Sequence, residues 1–189
     1  MKRLWLSIIL TLLLISCQKP ANEGGMVEIT ETDVFSLPDY HSLEITVNGV
    51  KLGDSEQQVL TKLGQPDNTN TYNDAEGKIV NFEYKKAIET EKIGLVIHTV
   101  NDRVQRITIK QPFNKYLKGK TRIVPEYEKE DLFELLGTPT SKEIMKPFTV
   151  YRFEDKGIEV FYNEKGWNGF ALVVPKEVDL SKVYTNLQE

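Results

Sequence analysis

An apolar helical stretch that ends in Leu-Gly-X-Pro occurs twice in this chain, and that recurrence constrains its fold more than any other feature. Val59-Leu60-Thr61-Lys62-Leu63-Gly64-Gln65-Pro66 is echoed by Leu132-Phe133-Glu134-Leu135-Leu136-Gly137-Thr138-Pro139, with Gly64 and Gly137 standing 73 positions apart. Val59, Leu60 and Leu63 in the first copy, and Leu132, Leu135 and Leu136 in the second, lie at helical spacing. Each glycine falls where a helix ends in a backbone conformation that side chains resist. Pro66 and Pro139, two residues on, forbid the helix to continue. Ahead of the first copy, Asp54 or Ser55 can cap the helix, with Gln57 or Gln58 completing a capping box.

Strand-like segments follow each copy. In the first they cover residues 79–85, 94–100 and 104–110; in the second, 148–154, 157–163 and 169–174. Val80, Phe82 and Tyr84 alternate with Asn81, Glu83 and Lys85, the pattern of a half-buried antiparallel strand. Asn101-Asp102, Asp155-Lys156-Gly157 and Gly166-Trp167-Asn168-Gly169 read as turns. The expected fold is α+β: two tandem repeats, each with short helices packed on a small antiparallel sheet meander. The first repeat is placed at residues 44–112 and the second at 122–178, with a basic linker (113–121) between them and a tail at 179–189. Neither half is large enough to bury much alone, so the halves are expected to pack together.

The N-terminus reads as an address. Lys2 and Arg3 precede an apolar run from Leu4 to Ile15, and Leu14-Ile15-Ser16-Cys17 matches a lipobox, with a small residue just before the only cysteine. A transmembrane helix is the competing reading, but the 13 residues from 4 to 16 span roughly 20 Å against a hydrocarbon core of about 30 Å. Residues 1–16 are therefore expected to be a lipoprotein signal peptide, and Cys17 to carry diacylglycerol and N-terminal acylation. Two or three chains, at about 0.8 kcal/mol per buried CH₂, make a lasting anchor. Gln18 in place of Asp resembles the sorting pattern for the outer membrane. The expected location is that membrane, facing the periplasm, or the plasma membrane in a bacterium with only one. Residues 18 to about 40 hold no helical or strand period, so 17–43 reads as the lipidated cysteine and a flexible tether.

Removing residues 1–16 takes away Lys2 and Arg3 and no acid, moving the formal net charge from −4 to −6. A mildly acidic chain lacks the basic stripe that nucleic acid requires. With the one thiol acylated there is no internal disulfide, so packed apolar surface must supply the stability.

The paired Leu-Gly-X-Pro helix ends, with Gly49-Val50-Lys51-Leu52-Gly53-Asp54-Ser55 leading into the first, resemble the SmpA/OmlA (BamE-like) family of envelope lipoproteins. The tandem form resembles the beta-lactamase inhibitory protein-like fold, and together the matching stretches cover residues 44–175. The resemblance implies helices on one face of an antiparallel sheet and a role in binding other proteins, either as an accessory subunit of outer-membrane protein assembly or as an inhibitor of secreted enzymes. A duplicated chain departs from the single-domain assembly subunit.

Motifs for chemistry are not apparent. There is no Gly-x-Ser-x-Gly, no His-Glu-x-x-His and no phosphate loop. His41 lies beside the tether, and His98 lies within an apolar strand, where a structural role is the ordinary one. Asp54, Asp67 and Asp74 read as loop or cap residues, and the acidic run from Glu126 to Asp131 suits a helix N-terminus. The expectation is a non-catalytic protein that uses no cofactor or metal and has an envelope protein partner. The alternatives are an inhibitor of a secreted or periplasmic enzyme and a small-ligand carrier or hydrolase. Candidate contacts are Tyr151, Phe153 and Phe161, as strand aromatics, and Trp167, presented in a turn.

Overall fold

The computed structural model describes residues 27–28, 41–87, 90–110 and 128–178. In chain order these form strand β1 (Val27–Glu28), β2 (Ile45–Thr46), helix α1 (Glu56–Leu63), β3 (Asn68–Asp74), β4 (Gly77–Ala87), β5 (Thr90–Val100) and β6 (Arg103–Lys110). Helix α2 (Lys129–Leu136), β7 (Ser141–Met145), β8 (Phe148–Phe153), β9 (Ile158–Asn163) and β10 (Gly166–Val173) follow. The two helix stretches end as their sequences require. Gly64 (φ 80°, ψ −167°) and Gly137 (φ 86°, ψ −162°) donate to Leu60 O and Phe133 O from a region of backbone space that is essentially reserved for glycine. Ser55 caps α1 and completes the capping box with Gln58, whereas Glu128 at the start of α2 makes no side-chain cap bond.

The expectation of two small α+β repeats is overturned. Eight strands form one antiparallel sheet in the order β3-β4-β5-β6-β10-β9-β8-β7. The junction is the pairing of β6 with β10, from Gly169↔Lys110 to Val173↔Arg106. Each meander would otherwise end in a row of unpaired backbone groups, and joining them satisfies both rows at once. Other ties cross the same boundary. Ser42 N–H donates to Lys156 O at 2.9 Å, the Ser42 hydroxyl donates to Val173 O at 2.8 Å, and Val174 N–H donates to Gln105 O at 3.3 Å.

Strands β3 and β7 were not expected, because Asn-Thr-Asn-Thr-Tyr-Asn-Asp has no apolar alternation to mark it. β3 is exposed throughout and holds to β4 by its ladder, with Asn68 and Asn70 both donating to Glu83 at 2.8 and 3.0 Å. The segment read as a tether also contains structure: β1 pairs in parallel with β2, and Ser42 is fully buried. Cys17, the signal peptide, the linker and the 179–189 tail lie outside the described residues.

Both helices lie on the same face of the sheet. The core there joins Val80, Phe82 and Tyr84 of β4, Leu95 and Ile97 of β5, Ile107 and Ile109 of β6, and Phe170 and Leu172 of β10 to Val59 of α1 and Leu132 and Leu136 of α2. Tyr84 Oη donates to Gly64 O at 3.2 Å, which fixes the end of α1 over the sheet. Phe133 of α2 meets Tyr151 and Phe153 edge-on at 5.0 and 5.9 Å. No described element covers the opposite face.

Gly64 has open space around the position a Cβ would take, so Gly64→Ala is expected to cost only its conformational strain, about 1–2 kcal/mol. Gly169 (φ 143°) differs, because its Cβ would lie 2.2 Å from Ile109 O in the β6–β10 junction. Gly169→Ala is expected to destabilise by about 3 kcal/mol or more in urea unfolding. Equal losses for the two variants would contradict the tight approach of β10 to β6.

Candidate functional site

The face of the sheet opposite the helices, which no described element covers, carries a row of charge that the pairing register assembles from four strands. Arg106 (β6), Glu159 (β9), Arg152 (β8) and Glu143 (β7) form a ladder in which each carboxylate meets an arginine. Arg106 donates to Glu159 at 2.6 Å, Arg152 Nε donates to the other oxygen of Glu159 at 3.0 Å, and Arg152 Nη2 donates to Glu143 at 2.5 Å. The row crosses five strands, about 19 Å at the usual spacing.

Arg106 and Glu159 are not on neighbouring strands, since β10 lies between them. The residue of β10 opposite both Glu159 and Thr108 is Ala171, whose methyl leaves room for the guanidinium to pass over. Beside it Phe161 is half-buried, with Arg106 5.8 Å from its ring centroid. Glu159 is only 8 % exposed although charged, so both arginines are needed to hold it there. The Glu159–Arg152–Glu143 arrangement also holds the Arg152 guanidinium firmly protonated, its hydrogen bond to Glu143 being the largest cause.

The row continues toward β3 with neutral polar groups. His98 pairs in register with both Asn81 and Arg106, and His98 Nδ1 lies 2.7 Å from Asn81 Oδ1. Burial, and then the Arg106 charge, lower the His98 pKa below its ordinary value of 6.5. His98 is thus a hydrogen-bonded member of a strand face.

A second concavity lies on the helix side. A cleft of about 900 Å³ opens between the start of α2 and the ends of β7–β10, lined by Tyr151, Tyr162, Ile144, Phe148, Glu128 and Glu130 among others. Tyr151 and Tyr162 meet edge-on there at 6.0 Å. Tyrosines and carboxylates converge in this cleft, while His98 lies on the opposite face of the sheet.

The four candidate contact residues separate. Phe161 lies on the uncovered face. Phe153 is fully buried in the helix-side core and has no surface to offer, which corrects its selection as a contact. Tyr151 is on the helix side, packed against Phe133 and lining the cleft. Trp167 is not in a turn: the β9–β10 turn is formed by Glu164-Lys165, and Trp167 pairs with Tyr162 within β10 ahead of a bulge. Asn163 Oδ1 accepts from Lys165 N–H at 2.8 Å and places the turn there, two residues earlier than the glycines suggested. Of the aspartates, Asp54 pairs with Lys62 at 2.7 Å, Asp67 accepts from Lys85 N–H at 2.8 Å, and Asp74 accepts from Glu76 N–H at 2.7 Å; these are structural roles. Among the described residues no group of three or more His, Cys, Asp or Glu is placed to hold a metal.

Sequence reasoning did not find the ladder. Its signal was an alternation of charge with apolar residues in residues 104–110, 150–153 and 158–161, but only the register turns those charges into partners. A scan of protein-family models, a search of curated proteins and a search of solved structures each return no match for this chain.

Replacing Glu159 by Gln leaves Arg106 and Arg152 close together without their shared anion. The expected cost is about 2 kcal/mol at pH 7, reduced in high salt because both arginines are partly exposed. A loss below 0.5 kcal/mol, on the order of a surface pair, would remove the ladder from the stabilising interactions. For His98, the unfolded chain binds a proton at higher pH than the folded one, so stability is expected to rise with pH across the region from below 6.5 to about 7.5. The slope of Tm against pH in that window is expected to flatten in His98→Gln.

Proposed function

We propose that this chain is a lipid-anchored cell-envelope protein that binds another protein, without catalysis, through the uncovered face of its sheet. The observation that carries this reading is the continuity of that face across the β6–β10 junction. Eight strands at about 4.8 Å give a width of roughly 38 Å, and strands of six residues give a length of about 20 Å. The product, roughly 750 Å², is close to the 800 Å² or so that each partner contributes to a standard interface. The face also has the mixed character of such surfaces: an arginine over an aromatic ring near the centre, polar groups toward the β3 edge, and charges already positioned by one another.

The envelope location rests on the lipobox at Cys17. No described helix is long and apolar enough to cross a membrane. An accessory role in outer-membrane assembly or envelope integrity and the inhibition of a secreted or periplasmic enzyme would use the same face. The identity of the partner separates them.

The test is photocrosslinking in native membranes from a reactive side chain placed at Lys110 or Glu143 on the uncovered face, with Thr61 on the exposed side of α1 as the control. A discrete adduct is expected from the first two positions and not from Thr61, and it should weaken in Phe161→Ala. The same adduct from all three positions, or none from any, would sink the open-face reading. Cys17→Ser is expected to release the protein from the membrane fraction.

A further inference from the structure

The sheet has two outer edges, and the chain guards only one of them. No described strand lies beyond β7 or beyond β3, so each turns one row of backbone N–H and C=O groups outward. β7 is five residues long and carries Lys142 and Glu143 near its middle, one on each face. Glu143 accepts from Arg152, and Lys142 Nζ stands 5.6 Å from the Tyr151 ring centroid, so both charges are held at the edge. β3 is seven residues long and exposed throughout. It contains no proline and no basic residue, and its register with β4 runs without a bulge. The carboxylate beside it on β4, Glu83, accepts from the side-chain amides of Asn68 and Asn70 and is satisfied from the edge side.

The difference tells when each edge is laid antiparallel against a second copy of itself. A twofold axis normal to the sheet keeps like faces together, and side chains alternate between faces, so the pairing must centre on one residue. At β7 every such centre fails. Lys142 or Glu143 at the centre stands opposite its own charge, Ile144 at the centre sets Lys142 opposite Lys146, and either end residue leaves only itself paired. At β3, centring on Thr71 pairs all seven residues: Thr71 with itself, Asn70 with Tyr72, Thr69 with Asn73 and Asn68 with Asp74. No like charges face one another, and a Thr–Thr pair is among the favourable cross-strand contacts. Tyr72, 47 % exposed and outside the core cluster, would then cover Asn70 of the second copy and reach its own counterpart diagonally, at about 7–8 Å.

We propose that the β3 edge is the interface of a symmetric dimer, in which a second copy of this chain adds its own β3 antiparallel about Thr71 and extends the sheet. The assembly stops at two copies, because the edge that each copy leaves outside is β7 with its charges. The interface depends on neither the open-face reading nor the anchor at Cys17.

The experiment uses the full chain in detergent micelles. Sedimentation equilibrium is expected to show monomer and dimer in exchange, and mild oxidation of single-cysteine substitutions gives the register, read against the unaltered chain with its native Cys17. Thr71→Cys is expected to form an interchain disulfide. Thr69→Cys and Asn73→Cys are each expected to form none alone, since like positions lie about 13 Å apart along the strand, but to crosslink when mixed. Ile144→Cys on the β7 edge is expected to form none. Thr71→Lys and Thr71→Glu, exposed changes that spare the core, are each expected to weaken the dimer about fivefold by setting like charges opposite, and an equal mixture of the two to restore it. A monomer at millimolar protein, equal crosslinking at 69, 71 and 73, crosslinking at 144 to the same extent, an unchanged dimer in Thr71→Lys, or growth beyond two copies would each overturn the proposal.

Discussion

Everything in this structure depends on the hydrogen-bonded pairing of β6 with β10. Five residue pairs, Lys110 with Gly169 through Arg106 with Val173, turn two meanders into one sheet. The same pairing brings Ile107 and Ile109 against Leu172 and Phe170, so the apolar sets of the two halves merge into one core. Neither helix could supply that cohesion. Each is eight residues long, below the length at which a helix is stable in water by itself, and between them only Val59, Leu132 and Leu136 are buried. The helices are held by the sheet, and among the described elements they cover only one of its faces.

The residues that make the junction close also make the open face what it is. Gly169 admits the carbonyl of Ile109 where a side chain would clash, and Ala171 leaves a shallow gap between β6 and β9. Arg106 crosses that gap to Glu159, and the ladder then runs to the β7 edge without leaving a buried charge alone. A larger residue at 171 would divide the face into two charge clusters. The packing of the junction and the continuity of the charge row are therefore set by the same two small residues.

The sequence was informative wherever a local rule had a single structural answer. Gly64 and Gly137 marked helix ends because few other residues tolerate their conformation, and Asn101-Asp102 marked a tight turn because both residues adopt positive φ there. It was silent on β3, where Asn and Thr carry no burial signal and the strand exists through its neighbour's ladder. It misplaced the β9–β10 turn by favouring glycines over Glu164-Lys165, although Gly166 serves only to begin the strand at φ 100°. It also could not choose between one sheet and two, because strand alternation fixes which residues share a face and not which strands share an edge. The candidate site followed the same division. Phe161 and Phe153 looked equivalent by alternation, and only the position of the helices placed one on the surface and the other in the core.

The two ends of the helix layer show that helices ending alike need not meet the sheet alike. Thr99 and Lys78 are small enough, or long enough, to meet Glu56 directly, and the α1 end is closed by one hydroxyl, one ammonium and one backbone donor. Tyr162 is too large for that geometry. Its ring packs on Tyr151, and Tyr151 on Phe133, so an aromatic stack ties α2 near its middle to the sheet. Two of these three rings, Tyr151 and Tyr162, also line the cleft at the start of α2. A substitution that shrank Tyr162 to a threonine would bring the α2 end closer to the α1 arrangement, losing the aromatic contact and the space above it together.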